Sequence, residues 1–157
     1  MVLKTILIIV LLVILFQDLK LRSVHWSLFP MLFVCAIFIG IENIKIMQWG
    51  FSLLFLVTLM LSLTLYLTIK TGKLVNITNG FFSWGDILFL LAIIPVFDVS
   101  SFMLFFTFGT LITLVFHITA HGIKAQKTIP YAGYMALVSV FYVLFEPTII
   151  YYKSMLI

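Results

Sequence analysis

Phe81-Phe82-Ser83-Trp84-Gly85-Asp86 leads without a break into Ile87-Leu88-Phe89-Leu90-Leu91-Ala92-Ile93-Ile94-Pro95-Val96-Phe97. A perpendicular membrane span needs roughly 20 residues, so this run is long enough only if Asp86 lies inside it, about one turn below the surface. An ionised carboxylate at that depth costs on the order of 2.5–3.5 kcal/mol even on the gentler insertion scale. Irregular backbone there is tolerated only where protein or a water-filled cavity covers it. Asp86 is therefore expected to face inward, toward other helices.

Working outward, five more apolar runs complete the chain: Val2–Phe16, Leu28–Ile41, Phe51–Ile69, Phe102–Ala120 and Tyr131–Ile150. The last three reach spanning length, Val2–Phe16 does so only by continuing through Gln17-Asp18 toward Leu21, and Leu28–Ile41 is short. Composition excludes a soluble domain: 64% of residues are hydrophobic and 9% charged, too few charges to cover a water-exposed surface. The expected fold is all-α, a polytopic membrane protein with six transmembrane helices forming one domain over residues 1–157. The lone Cys35 forbids a disulfide framework or a paired-cysteine metal site within one chain. No repeat or nucleic-acid motif is evident, and no nucleic-acid partner is expected. Behind Lys4 the first run resembles a signal-peptide core. It lacks a small-residue cleavage site and reads as a retained helix.

The basic residues set an expected orientation. Lys20, Arg22, Lys70, Lys73, Lys124 and Lys127 fall in the odd-numbered loops, against Lys4, Lys45 and Lys153 on the other side, diluted by Glu42 and Asp98. Six against three, all in short loops, places the odd loops in the cytoplasm and both termini outside. Trp26, Trp49, Trp84, Tyr131, Tyr151 and Tyr152 fit an aromatic belt at the two interfaces. The net charge of +4 thus serves orientation in the lipid bilayer rather than an anionic partner.

This topology brings Asp18, ending the first helix, and Asp86, opening the fourth, to one membrane face. Two nearby carboxyls cannot both ionise, so they share a proton, one able to activate water while the other donates to a carbonyl oxygen. That is the minimal equipment of an aspartic protease, and which aspartate is the base stays open. Bland readings exist for each residue. Asp18 and Arg22 are spaced for a helix-surface ion pair, and Asp86 after Gly85 can cap the fourth helix. His117 and His121 share a helix face, and with His25 and the aspartates they offer a rival zinc site. They lack the glutamate of a metalloprotease helix, and His121 is expected already in the loop. Asp98 reads as a cap for the fifth helix and Glu42 with Lys45 as a polar turn. Glu146-Pro147 lies near the outer end of the last helix. Asn76-Ile77-Thr78 is a glycosylation sequon on the wrong side of the membrane.

Ser83-Trp84-Gly85-Asp86 resembles the GxGD signature of intramembrane aspartic proteases, with serine in place of the first glycine. Asp18-Leu19-Lys20-Leu21-Arg22-Ser23-Val24-His25-Trp26 looks like the type IV prepilin peptidase pattern of a helix-ending aspartate followed by a basic stretch, with Val24-His25-Trp26 where the family has Ile-Pro-Asn. Thr128-Ile129-Pro130-Tyr131-Ala132-Gly133-Tyr134 resembles the family's Ile-Pro-Phe-Gly-Pro-Phe segment. The three matches occur in family order across the whole chain. The resemblance to prepilin and preflagellin peptidases implies catalysis by Asp18 and Asp86, site shaping by Trp84, Gly85, Ile129 and Pro130, no metal and no cofactor. It also implies a pilin-like precursor as substrate, in the cytoplasmic (inner) membrane. The cytosolic insertion with paired CxxC motifs that accompanies methyltransferase activity is absent. Leu88 stands where the family often has lysine, and serine at position 83 is expected to stiffen the turn, since glycine adopts backbone angles that serine avoids. The alternatives are a non-catalytic assembly or scaffold subunit of a pilus or secretion system, and a His/Asp metal-dependent membrane hydrolase. Oligomeric state is not legible.

Overall fold

The computed structural model describes residues 2–40, 46–73, 82–121 and 129–155, with the side chains of 120–121 and 146–155 left out. The described chain is all-helical. In order come α1 (Val2–Leu21), α2 (Leu28–Gly40), α3 (Ile46–Thr71), α4 (Trp84–Ile93) with a 3-10 turn over Ile94–Val96, α5 (Val99–His121) and α6 (Tyr131–Met155). Of these, α1, α3 and α5 are long and apolar enough to cross a membrane.

The first helix carries through Gln17-Asp18 to Leu21, and its buried stripe is Leu7, Val10, Leu11, Ile14 and Asp18. The spacing of 3 and 4 residues keeps that stripe on one helical face. Asp18 thus continues the apolar seam toward the end of the bundle instead of facing outward. Arg22 follows in the left-handed conformation at φ 55°, its N–H donating to the Asp18 carbonyl at 3.2 Å. That is a C-terminal cap usually left to glycine, and a side chain there costs on the order of 1 kcal/mol. Asp18 is thus buried rather than on the helix surface, and Arg22 caps the helix with its charge still acting on Asp18. In the loop that follows, the His25 N–H donates to Gln17 Oε1 at 2.9 Å, folding the loop back onto α1.

The fourth run is shorter than the reading of Phe81–Phe97 required. Its helix begins at Trp84 rather than being interrupted at Gly85-Asp86, and it ends at Ile93 because Pro95 supplies no N–H to continue it. The helix and its 3-10 turn rise only about 21 Å, and the 13 residues of α2 about 20 Å. At the far end of α2, a Cβ on Gly40 would collide with the Pro95 carbonyl oxygen, so only glycine permits this close crossing. Contrary to expectation, His121 is still helical. Asp98 takes the N-cap place of α5, its carbonyl accepting from the Phe102 N–H at 2.8 Å.

Helix α1 packs along α6 and α2, α2 along α4, and α5 between α6 and α3. Leu7, Leu11, Ile14, Leu32, Phe89, Leu90, Ile93, Phe102 and Met135 form the fully buried centre. Phe97 anchors one end of it, stacked on Phe105 with centroids 4.5 Å apart and against Tyr142 at 4.3 Å. Phe106 is half-buried against Phe55, and Phe108 is exposed. Most of α3 is exposed, with Ser52, Leu56 and Leu67 turned inward. The start of α6 meets the end of α1 through Gly133 and Asp18. It meets the start of α4 through Ala132 and Asp86. The C-terminal half of α5 lies beside it through Phe116 and Tyr134, stacked with centroids 5.9 Å apart. Helix α3 runs from Trp49 and Gly50 beside Pro95 to Tyr66 beside Phe82, Phe55 packing on Phe102 and Phe106. The ends carrying Lys20, Arg22, Lys70 and Lys73 are therefore on one side of the bundle. The sequon at 76–78, Lys124, Lys127, Glu42 and Lys45 lie outside the described residues, and Glu146, Tyr151, Tyr152 and Lys153 outside the described side chains.

Candidate active site

The first N–H groups of an α-helix have no partner within the helix, and its dipole places partial positive charge there. At the start of α6 the Pro130 carbonyl accepts from the Tyr134 N–H at 3.2 Å. This makes Pro130 the N-cap and leaves the amides of Ala132 and Gly133 pointing out of the helix end. Each is taken by a carboxylate from a different helix. The Ala132 N–H donates to Asp86 Oδ1 at 3.0 Å, and the Gly133 N–H donates to Asp18 Oδ2 at 2.6 Å. Asp18 and Asp86, 68 positions apart in sequence, are thus held by two consecutive peptide units.

Both carboxylates are buried, Asp18 8% and Asp86 6% exposed, and Asp18 feels the charges of both Asp86 and Arg22. Small residues make the approach possible. A Cβ on Gly133 would lie 3.1 Å from Asp18 Oδ2 and 3.1 Å from its Cβ, tighter than ordinary packing allows. Asp86 is anchored a second time within its own helix. Ser83 is the N-cap of α4 and Asp86 its N3 residue, and the two form a reciprocal capping box. The Ser83 N–H and hydroxyl both donate to Asp86 Oδ2 at 2.8 Å, while Ser83 Oγ accepts from the Asp86 N–H at 3.2 Å. Ser83 sits at φ −77°, ψ 157°, extended backbone that any residue adopts. Position 83 therefore does not use the backbone angles reserved for glycine, and the serine adds a donor.

The other residues singled out from sequence are less intimately placed. Trp84 projects outward, 69% exposed, and Ile129 is also exposed, whereas Pro130 is fully buried at the start of α6. Gly85 has room for a Cβ at ordinary contact with Ser83 Oγ and Phe29, so its conformation does not demand glycine. Tyr131 was expected in the interfacial belt and is instead buried. Its hydroxyl pairs with Thr110 Oγ1 at 3.1 Å, and its ring meets Phe82 edge-on with centroids 5.2 Å apart. Among the described residues no three His, Cys, Asp or Glu side chains group to hold a metal ion. His25 is exposed and engaged with Ser27 Oγ at 2.7 Å. His117 sits on α5, and the His121 side chain lies outside the described set.

Sequence reasoning missed the Ala132 and Gly133 amides and the Ser83 hydroxyl. The signal for the amides was Pro130 with two small residues, Ala132 and Gly133, just beyond Tyr131 at the head of an apolar run. The signal for the hydroxyl was serine three residues before an acid, the spacing of a capping box. Compared with known proteins, the chain matches no family model, no curated protein and no solved structure.

Proposed function

We propose that this protein is an intramembrane aspartic endopeptidase, with Asp18 and Asp86 as the catalytic pair. The observation that carries the reading is the capture of both buried carboxylates by the consecutive amides of Ala132 and Gly133. Proximity of this kind is what a proton-sharing pair needs. In the proposed topology the chain crosses the cytoplasmic membrane six times, with the odd loops inside and local bilayer thinning accommodating the short α2 and α4. The substrate is a pilin-like precursor: a basic leader that stays in the cytoplasm, joined to an apolar helix that enters the bilayer. The scissile bond then falls at the depth of the pair. Exposed Trp26 and Trp84 near this end of the bundle suit the interface where that junction lies.

A second reading has an observation of its own. Three donors on Asp86 and one on Asp18 make a satisfied polar lock tying α1, α4 and α6 together, which a scaffold subunit of a pilus or secretion assembly could use purely for specificity of packing. Asparagine at position 18 separates the two most cleanly, because its amide oxygen still accepts from Gly133, whereas at position 86 it keeps the Ala132 bond but turns an NH2 toward the Ser83 N–H. Asp18→Asn and Asp86→Asn, co-expressed with candidate pilin-like precursors, should each abolish cleavage while the protein inserts and folds. Full processing by either variant would sink the peptidase reading in favour of the lock. Chelators should leave cleavage unchanged, and inhibition reversed by added zinc would point to the histidines instead.

A further inference from the structure

The two carboxylates are not held alike. Among the described residues Asp86 accepts from the Ser83 N–H, the Ser83 hydroxyl and the Ala132 N–H, whereas the Asp18 carboxylate accepts from the Gly133 N–H. Donors aimed at a carboxylate favour its ionised form, and where two carboxyls share a proton the less supported one keeps it. The third donor on Asp86 depends on serine at position 83, because a glycine there would supply the backbone N–H alone. We infer that the Ser83 hydroxyl is a positioning residue that divides the labour of the pair, holding Asp86 as the carboxylate that activates water and leaving the shared proton on Asp18. This rests on the peptidase reading above.

Of the charges around Asp18, the Arg22 guanidinium just past α1 opposes this division and the Asp86 carboxylate supports it. On α6 the flanking ionisable groups are the buried phenols of Tyr131, engaged with Thr110, and Tyr134, whose ring stacks on Phe116. Against α4 from the other side, α2 offers Cys35, about two turns deeper than the Phe29 that faces Gly85. Hydrolysis then balances as follows. Water adds to the scissile carbonyl carbon, its proton passing to Asp86 while the Asp18 proton passes to the carbonyl oxygen. In the tetrahedral diol the C–N bond breaks. The nitrogen takes the proton from Asp86, and one diol hydroxyl returns a proton to Asp18. A carboxylic acid and an amine leave, and the pair is restored.

The test uses the full chain in liposomes and a peptide joining a short Lys/Arg leader to an apolar helix. Ser83→Gly costs little as an N-cap, yet it should move the acid limb of the kcat/KM profile upward by about one pH unit, since a base with one donor fewer is protonated sooner. Ser83→Ala should do the same, and Ser83→Thr, which keeps the hydroxyl, should restore the limb. A purely structural cap would lower rates without moving it. An unmoved limb in folded Ser83→Gly overturns the inference. A readout without substrate is the infrared carboxyl C=O band. In an Asp18→Asn background Ser83→Gly should shift its titration upward by about one pH unit, and in an Asp86→Asn background leave it in place; the reverse pattern also overturns the inference. Infrared shifts as expected in a wild type that cleaves no such peptide would instead defeat the peptidase reading, reducing Ser83 to a helix cap.

Discussion

Gly133 donates its N–H to Asp18 Oδ2 at 2.6 Å, and a methyl group on the same residue would stand 3.1 Å from that oxygen. The hydrogen bond and the missing side chain go together: the close approach of the carboxylate to the amide leaves little room for a Cβ. Gly133→Ala should push the Asp18 carboxylate aside by a few tenths of an ångström. A misplacement near 1 Å costs about a hundredfold in rate, so this smaller shift should lower peptide cleavage by up to about tenfold. Thermal unfolding in detergent should move only slightly, because the rest of the α1–α6 seam is untouched. Near-wild-type turnover in Gly133→Ala would show that Asp18 need not sit where it does.

The pair should impose a bell-shaped pH profile on cleavage. At the acid end both carboxyls are protonated and no base remains; at the alkaline end both are ionised and no proton remains to donate. Asp18→Glu keeps the charge but adds a methylene in a space already tight against Gly133. A strongly reduced rate with the bell preserved is expected. A flat profile in the wild type, measured as initial rate over the range where the protein stays folded, would remove the shared proton from the mechanism.

Tyr131 separates packing from polarity. Tyr131→Phe keeps the ring against Phe82 and leaves Thr110 Oγ1 its bond to the Phe106 carbonyl at 2.6 Å. The loss should be about 1 kcal/mol of stability, with cleavage largely retained. Tyr131→Ala removes the ring beside the two amides that hold the aspartates, and should cost on the order of 3 kcal/mol or more together with most of the activity. Equal activity in the two variants would mean that the ring does not steady the start of α6.

Orientation can be read by cysteine labelling in a Cys35→Ser background. A cysteine at Ser23 or within 70–73 should resist an impermeant thiol reagent applied to intact cells, and one placed after Tyr152 should react. The basis is the excess of Lys and Arg on the odd loops. Labelling at Ser23 from outside would invert the chain and move the aspartates to the opposite face.

Much of this was legible in the residues. An apolar run continuing through Gln17-Asp18 gave α1 its length, and the cost of a carboxylate in an apolar segment correctly turned Asp86 inward. What misled was proline and aromatic placement. Pro95 cuts α4 short, although the apolar residues around it read as continuous helix. Tyr131 looked like a belt residue because it stands at the edge of an apolar run, the same place a buried residue at a helix start occupies. The sides of the helices were also hard to assign, since α1 is apolar all round: lipid and protein interior demand the same side chains, and periodicity marks no inner face. The meeting of Asp18 and Asp86 on neighbouring amides is a tertiary event. No local pattern within α1 or α4 announces which helix will supply the donors.

The dependence on α6 has a consequence for biogenesis. A ribosome delivers α1 and α4 to the membrane well before residues 131–133 emerge, so Asp18 must wait without the Gly133 amide and Asp86 with its Ser83 donors alone until α6 docks. A chain that stops short of Ala132 carries both aspartates but lacks the two amides that hold them side by side.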